Sequence, residues 1–338
     1  EFMKESSFIN FLKLRASFGI INRDNIPVDK DDNRVESYWE NLYVAGDQYP
    51  MDGSYNPGSS WKLGRLATLD PTHEKAIKYN LGLDATLFGG LNLTVDGYYQ
   101  KRKDIWVVSS GKYSSALGFD APYENGGIVN SYGFEFGADY IKKIGDFSFN
   151  IGGNFSLNKN KIKEQYEEVQ AYENLVRTNK PIGQIYGLIA EGFFKDQADI
   201  NSSVPHMFNE VKPGDIKYKD VNGDGRVDEN DKTAIGYSTL CPEIYYSFKL
   251  GAEYKGVGFT AQFQGTGNYS AMLNTKSVYW PLINNTNISQ EYYDNRWTTD
   301  NQNAKYPRLS SQSSNNNYQD NTIWLEDRSF LKLRNVEI

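Results

Sequence analysis

IKYNLGLDATLFGGLNLTVDGYYQ, residues 77 to 100, decides the fold class. Ile77, Tyr79, Leu81, Leu83, Ala85 and Leu87 alternate with Lys78, Asn80, Gly82, Asp84 and Thr86. After Gly89-Gly90 the alternation resumes, Leu91, Leu93, Val95 and Tyr99 against Asn92, Thr94, Asp96, Gln100 and Arg102. Side chains of a strand point alternately to its two faces, so a period of two is the mark of a strand with one apolar face. The paired glycines supply the backbone freedom of a tight hairpin turn.

Two further hairpins follow the same rule. Phe134, Phe136, Ala138 and Tyr140 precede a turn at 143–146, and Phe147, Phe149, Ile151, Phe155 and Leu157 follow it. Tyr246, Phe248, Leu250, Ala252 and Tyr254 lead to Gly256, then Val257, Phe259, Ala261 and Phe263. Partial strands near 8–19 and 328–338 bracket the set. The reading is all-β: about eight long antiparallel strands, every short turn at one end and every long link (about 20–74, 109–131, 161–242 and 269–327) at the other. A soluble sandwich has shorter strands and modest loops at both ends. Long strands with an apolar face, a polar face and loops of unequal length at the two ends suit a transmembrane barrel. Leu81, Leu83, Phe149, Ile151, Phe248 and Phe259 are then expected to face lipid, and Asn80, Asp84, Asn150 and Gln262 the lumen. Tyr98, Tyr99, Trp106 and Tyr140 are expected in interfacial girdles. An open sheet in lipid would leave its edges unpaired, so the 338 residues are expected to be a segment of a larger barrel.

Composition narrows the partners. A net charge of −7 argues against nucleic acid, whose phosphates need a basic face. One cysteine, Cys241, and two histidines leave too few ligands for a zinc cluster or a Cys/His nucleophilic pair. Residues 1–20 carry no signal-peptide pattern. Asp84, Glu135, Asp139 and Glu253 could suggest a glycosidase pair, but lumen-lining charge explains them better, and no enzyme activity is expected.

Several stretches resemble the SusC/RagA-type TonB-dependent outer-membrane transporters: FINFLKLRASFG (8–19), HEKAIKYNLGLDATLFGGLNLTVDGYYQKRKDIW (73–106), ENGGIVNSYGFEFGADYI (124–141), FSFNIGGNFSLNKNKI (147–162), PIGQIYGLIAEGFF (181–194), GDIKYKDVNGDGRVDENDKTAIG (214–236) and SFLKLRNVEI (329–338). The resemblance implies a 22-stranded barrel, a plug domain and TonB-contacting segment absent from these residues, and a SusD-like surface lipoprotein over the outer mouth. It implies import of oligosaccharides, or in some members peptides, across the outer membrane of a Gram-negative bacterium of the Bacteroidetes type. The competing reading is a soluble, calcium-stabilised, β-rich carbohydrate-binding module. Partitioning without detergent separates the two.

DVNGDGRVDEND, residues 220 to 231, has oxygen donors at calcium-loop spacing: Asp220, Asn222, Asp224, the Arg226 carbonyl, Asp228 and Asp231, with Gly225 at the turn. The expectation is one Ca²⁺ stapling the long extracellular loop 161–242, held without helices by flanking scaffold. The alternative is a turn capped by its own Asx side chains. Trp39, Trp61, Tyr279, Trp280 and Trp297 are candidate contacts to substrate or partner, with Tyr43, Tyr292, Tyr293 and Trp324 in the same loops. The run Asn315-Asn316-Asn317 reads as a flexible loop without chemistry of its own.

Overall fold

The computed structural model describes residues 8–338, apart from 48, 52–53, 57–59, 274, 277–279, 284–285 and 313. Eight strands form one antiparallel sheet in chain order: β1 Ile9–Arg23, β2 Glu74–Leu87, β3 Leu91–Val108, β4 Tyr123–Ile144, β5 Phe147–Glu164, β6 Ile244–Tyr254, β7 Val257–Gly267 and β8 Phe330–Glu337. The turns at 88–90, 145–146 and 255–256 lie at one end of the sheet. Gly89, Gly145 and Gly256 each have positive φ there, as tight hairpin turns require.

Register carries one apolar row from strand to strand. Leu14 pairs with Leu83, which pairs with Val95, and Val95 with Phe136. Phe136 then pairs with Phe155, and Phe155 with Tyr246. Neighbouring rows repeat this: Phe18, Tyr79, Tyr99 and Tyr132, or Tyr140, Ile151, Leu250 and Ala261. A one-residue slip at any pair would turn a whole strand's apolar set inward, so register is strongly specified. The face stays open to its surroundings: Leu14 is 71% exposed and Leu81 65%. A band this wide left uncovered is the surface of a lipid-facing wall.

The polar rows lie on the other face, Lys13, Asp84, Thr94, Gly137, Asn154, Ser247 and Gln264 forming one of them. The expected lumen residues Asn80, Asp84, Asn150 and Gln262 all share its parity. Three details differ from expectation. β4 begins at Tyr123, well before residue 132, because β3 bulges at Lys103-Asp104 and shifts register. Asp104 takes φ of 58°, and its carbonyl accepts from Asn125 Nδ2 at 2.9 Å. Tyr98 lies on the polar face and covers Gly133, instead of joining a girdle. Trp106 packs beneath the first long loop, its Nε1 donating to the Asn25 carbonyl at 2.7 Å and its ring against Tyr38.

The facing makes a direct prediction. With the sheet inserted in a bilayer, Leu83→Arg near mid-strand should cost about 2–4 kcal/mol. Asp84→Asn should cost far less, because Arg15 keeps Asp96 and an amide oxygen remains. Urea unfolding from lipid vesicles measures both, and equal costs would contradict the facing.

The long links fold together. Within 165–243, Ile185–Gly187 pairs with Thr233–Ile235 and Ala190–Phe193 with Ile216–Tyr218. Within 268–329, Ser270–Met272 pairs with Leu325–Asp327. The two links share a core of Leu188, Ile216, Tyr218, Val227, Tyr292, Tyr306, Tyr318 and Trp324. Backbone bonds stitch them, Leu188 N to the Asp320 carbonyl and Arg308 N to that of Gly214. Short helices α1 (Gln197–Ser202) and α2 (Gln290–Asn295) lie on this loop domain, N-capped by the Asp196 and Ser289 side chains.

Candidate functional site

The polar face of β3 to β7 is hollowed into a pocket of about 590 Å³. Amides and hydroxyls (Asn92, Thr94, Asn154, Ser247, Gln262, Gln264) alternate in it with Asp96, Glu135 and Asp139. Asp96 and Glu135 are direct cross-strand partners, an unfavourable pairing of like charges. Arg15 relieves it: Nη2 reaches Asp96 at 2.7 Å and Nε reaches Asp84 at 2.8 Å, so one guanidinium clamps three strands. Among the described residues neither Glu135 nor Asp139 has an ion pair, and both remain available as acceptors. Such a wall can hydrogen-bond a polar ligand in either sense.

The second candidate is the acidic loop. Its flanks, Ile216–Tyr218 before and Thr233–Ile235 after, are both held by the 185–193 segment, so no helices are needed. Val227 anchors the middle of the loop in the shared core, and Gly225 turns with φ of 83°. The Asp220 carboxylate accepts from Gly223 N at 2.7 Å and Gly225 N at 2.9 Å. Asp231, fully buried, accepts from Val221 N at 2.7 Å and Asp228 N at 2.8 Å. Asn222 and Asp224 accept from Asp224 N and Arg226 N. The Arg226 side chain lies between Asp224 and Asp228, at 3.4 and 3.1 Å. Among the described residues no three acidic, His or Cys side chains converge as around a cation. In this geometry the loop closes on its own amides and on Arg226.

The candidate aromatics divide. Trp39 and Trp61 are 55% and 71% exposed, beside and on the strand pair of Leu42–Ala45 with Trp61–Arg65. Trp280 stacks on Tyr318 at 4.4 Å, and Trp297 is buried against Gly214, so both belong to the loop-domain interior. Tyr279 lies outside the described residues. Tyr292 and Trp324 are wholly buried. Burial of the Tyr318 hydroxyl raises its pKa to about 12, so it stays protonated.

The asparagine run corrects the sequence reading. Asn316 and Asn317 are buried and hydrogen-bonded throughout. Asn316 Nδ2 donates to the Ile216 carbonyl at 2.8 Å, and its Oδ1 lies 2.7 Å from His206 Nδ1. Asn317 accepts from Ile216 N and donates to Asp215. Burial holds His206 below the usual imidazole range, as a neutral partner. The flanking Tyr318 and Trp324 were the available signal that this run is core.

No family model matches the chain. Curated relatives span it completely: TonB-dependent receptor P26 of Formosa agariphila is 25% identical over 352 residues, and the TonB-dependent receptor SusC of Bacteroides thetaiotaomicron 25% over 354. The chain spans about a third of the length of each, 33% and 32%. Among solved structures, that of the RagAB peptide transporter superposes with a TM-score of 0.68 at 20% identity, covering 99% of this chain and 35% of that one. This likeness supports the barrel fold and leaves the soluble-module reading without support. Sequence, register and architecture agree: over its whole length the chain is similar to TonB-dependent receptors of the SusC type, and it folds as a wall of antiparallel β-barrel strands.

Proposed function

We propose that this segment forms part of the wall and outer rim of an energy-coupled outer-membrane importer of oligosaccharides, in a Gram-negative bacterium of the Bacteroidetes type. In this reading it works with a SusD-like surface lipoprotein over the loop domain, and with TonB through parts of the protein beyond these residues. The supporting observation is the 590 Å³ pocket, lined by amides, hydroxyls and carboxylates together with aromatic rings, behind a continuous apolar band. Its interspersed amides, hydroxyls and carboxylates match sugar hydroxyls, which both donate and accept. Uptake by cells making the full transporter tests the reading. A fluorescent neutral oligosaccharide should accumulate, and collapsing the proton gradient should stop it. The runner-up is a peptide importer, the activity named for RagAB. Accumulation of short peptides alone would select it.

The loop domain is placed outside the cell, following the convention that long barrel loops are extracellular. In a Cys241→Ser background, a cysteine at the exposed Ser114 should react with an impermeant maleimide on intact cells, and one at Asp146 should not. Labelling at Asp146 alone would invert the topology.

Calcium at Asp220, Asn222, Asp224, Arg226 carbonyl, Asp228 and Asp231 is part of the proposal. Each carboxylate that caps an amide keeps further lone pairs, so a cation could take the place of the Arg226 guanidinium between Asp224 and Asp228. EGTA should then expose 195–240 to trypsin, and Asp224→Ala should do so in millimolar calcium. Identical digests with and without EGTA would leave the self-capped turn.

A further inference from the structure

We propose that Arg65 is an anion-recognition residue at the rim, taking the carboxylate or sulfate group of an acidic sugar; this rests on the oligosaccharide-importer reading. Arg65 ends the Trp61–Arg65 strand, which docks on the 109–122 link through an isolated bridge to Asp120. It lines a separate pocket of about 360 Å³ with Lys30, Ser110, Tyr113, Phe119 and Tyr123.

Its guanidinium is exceptional among its kind. Of the described arginines that are at least partly buried, Arg15 and Arg102 are held by carboxylates, Arg308 by Asp215, and Arg296 by the Tyr293 carbonyl. Arg65 has no oxygen partner among the described residues, and its Nε is sealed from solvent. The Tyr123 ring lies against it, 5.2 Å from Cζ. With no acceptor on either terminal nitrogen among the described residues, Nη1 and Nη2 keep a pair of N–H donors that can meet a planar or tetrahedral oxyanion two bonds at a time. A half-buried donor group without an acceptor calls for a ligand.

Three acids share the pocket, Asp29, Asp120 and Glu168. Asp29 is occupied, accepting from Asp31 N and Asn33 N at 2.9 Å each. Asp120 and Glu168 are exposed, where solvent and salt screen them, and Lys30 offsets part of their charge. Tyr113 and Tyr123 give the pyranose ring beyond the anion flat apolar faces to lie on.

The test uses the full transporter, purified in detergent, and calorimetric binding of three probes of equal length. They are a galacturonate oligosaccharide, a sulfated galacto-oligosaccharide and a neutral galacto-oligosaccharide. At least one acidic probe should bind about tenfold or more tightly than the neutral one, as charge-assisted bonds predict, and which one binds identifies the oxyanion. Arg65→Gln should abolish the preference without changing neutral binding, and Arg65→Lys should keep part of it. Equal binding of all probes to the native protein, or a preference that survives Arg65→Gln, would overturn the site while leaving the importer reading in place. Loss of neutral binding as well would count against both.

Discussion

Replacing Trp324 with alanine is expected to unfold the loop domain while the eight-stranded sheet persists. Trp324 is 1% exposed, stacks toward Tyr306 and Tyr318, and donates from Nε1 to the Asn317 carbonyl at 2.8 Å. Its own backbone carbonyl accepts from Leu273 N. Truncation removes the largest side chain of the shared core and orphans a buried carbonyl, at about 3–5 kcal/mol. A small unit with one core has little reserve against such a loss. Trypsin should then cut within 165–243 and 268–329, while the β-sheet circular dichroism is retained. A digest indistinguishable from that of the native protein would refute the assignment of a single shared core.

The second large effect is expected at Asp215. This carboxylate is wholly buried, lies 2.7 Å from Arg308 Nε, and accepts from Lys212 N and Asn317 Nδ2 at 2.8 Å each. Asp215→Ala leaves a cation and two donors without their acceptor. Breaking a buried pair from one side costs about 3–5 kcal/mol, toward the lower figure here because the Arg308 side chain is 24% exposed. Asp215→Asn preserves shape and an acceptor, and should cost less. Adding Arg308→Met to Asp215→Ala should recover part of the loss, because the stranded charge is gone. Urea titrations of the four proteins measure this. A double variant no more stable than Asp215→Ala would place the cost in Asn317 and the Lys212 turn instead.

The strands were legible because alternation is a local property. Ile77 to Leu87 and Tyr246 to Tyr254 announce both faces without knowledge of their neighbours, and Gly89, Gly145 and Gly256 mark the turns. The start of β4 was not legible, because Glu124 to Asn130 pair across a bulge that only β3 reveals. The loop domain was hidden for a related reason. Its core is assembled from residues scattered between 188 and 324, and its polar members have the composition of a flexible linker. Asn316 and Asn317 look solvated until Ile216 and Asp215 arrive from a hundred residues away. Local spacing did reveal the acidic loop's turn and its Asx chemistry. Spacing could not show that Asp231 and Arg226 would occupy one another's neighbours with protein partners. Arg65 gave no signal at all, since an absent acceptor is a property of the assembled fold.

The stitching of the two links also sets an order of events during folding. Ala190 N donates to Thr322 Oγ1 across 132 positions, and Tyr218 to the Asn316 carbonyl across 98. Closing loops of that length in a disordered chain is entropically costly and slow. β6 and β7 lie between the partners, and their two-residue turn is a fast, local closure. Once that hairpin pairs with β5, the ends of both links are brought to the same edge of the sheet, and the remaining search is short. The sheet should therefore assemble first and template the domain above it. Until then Leu188, Ile216 and Trp324 are unburied and adhesive, a window in which the unfinished chain is open to aggregation.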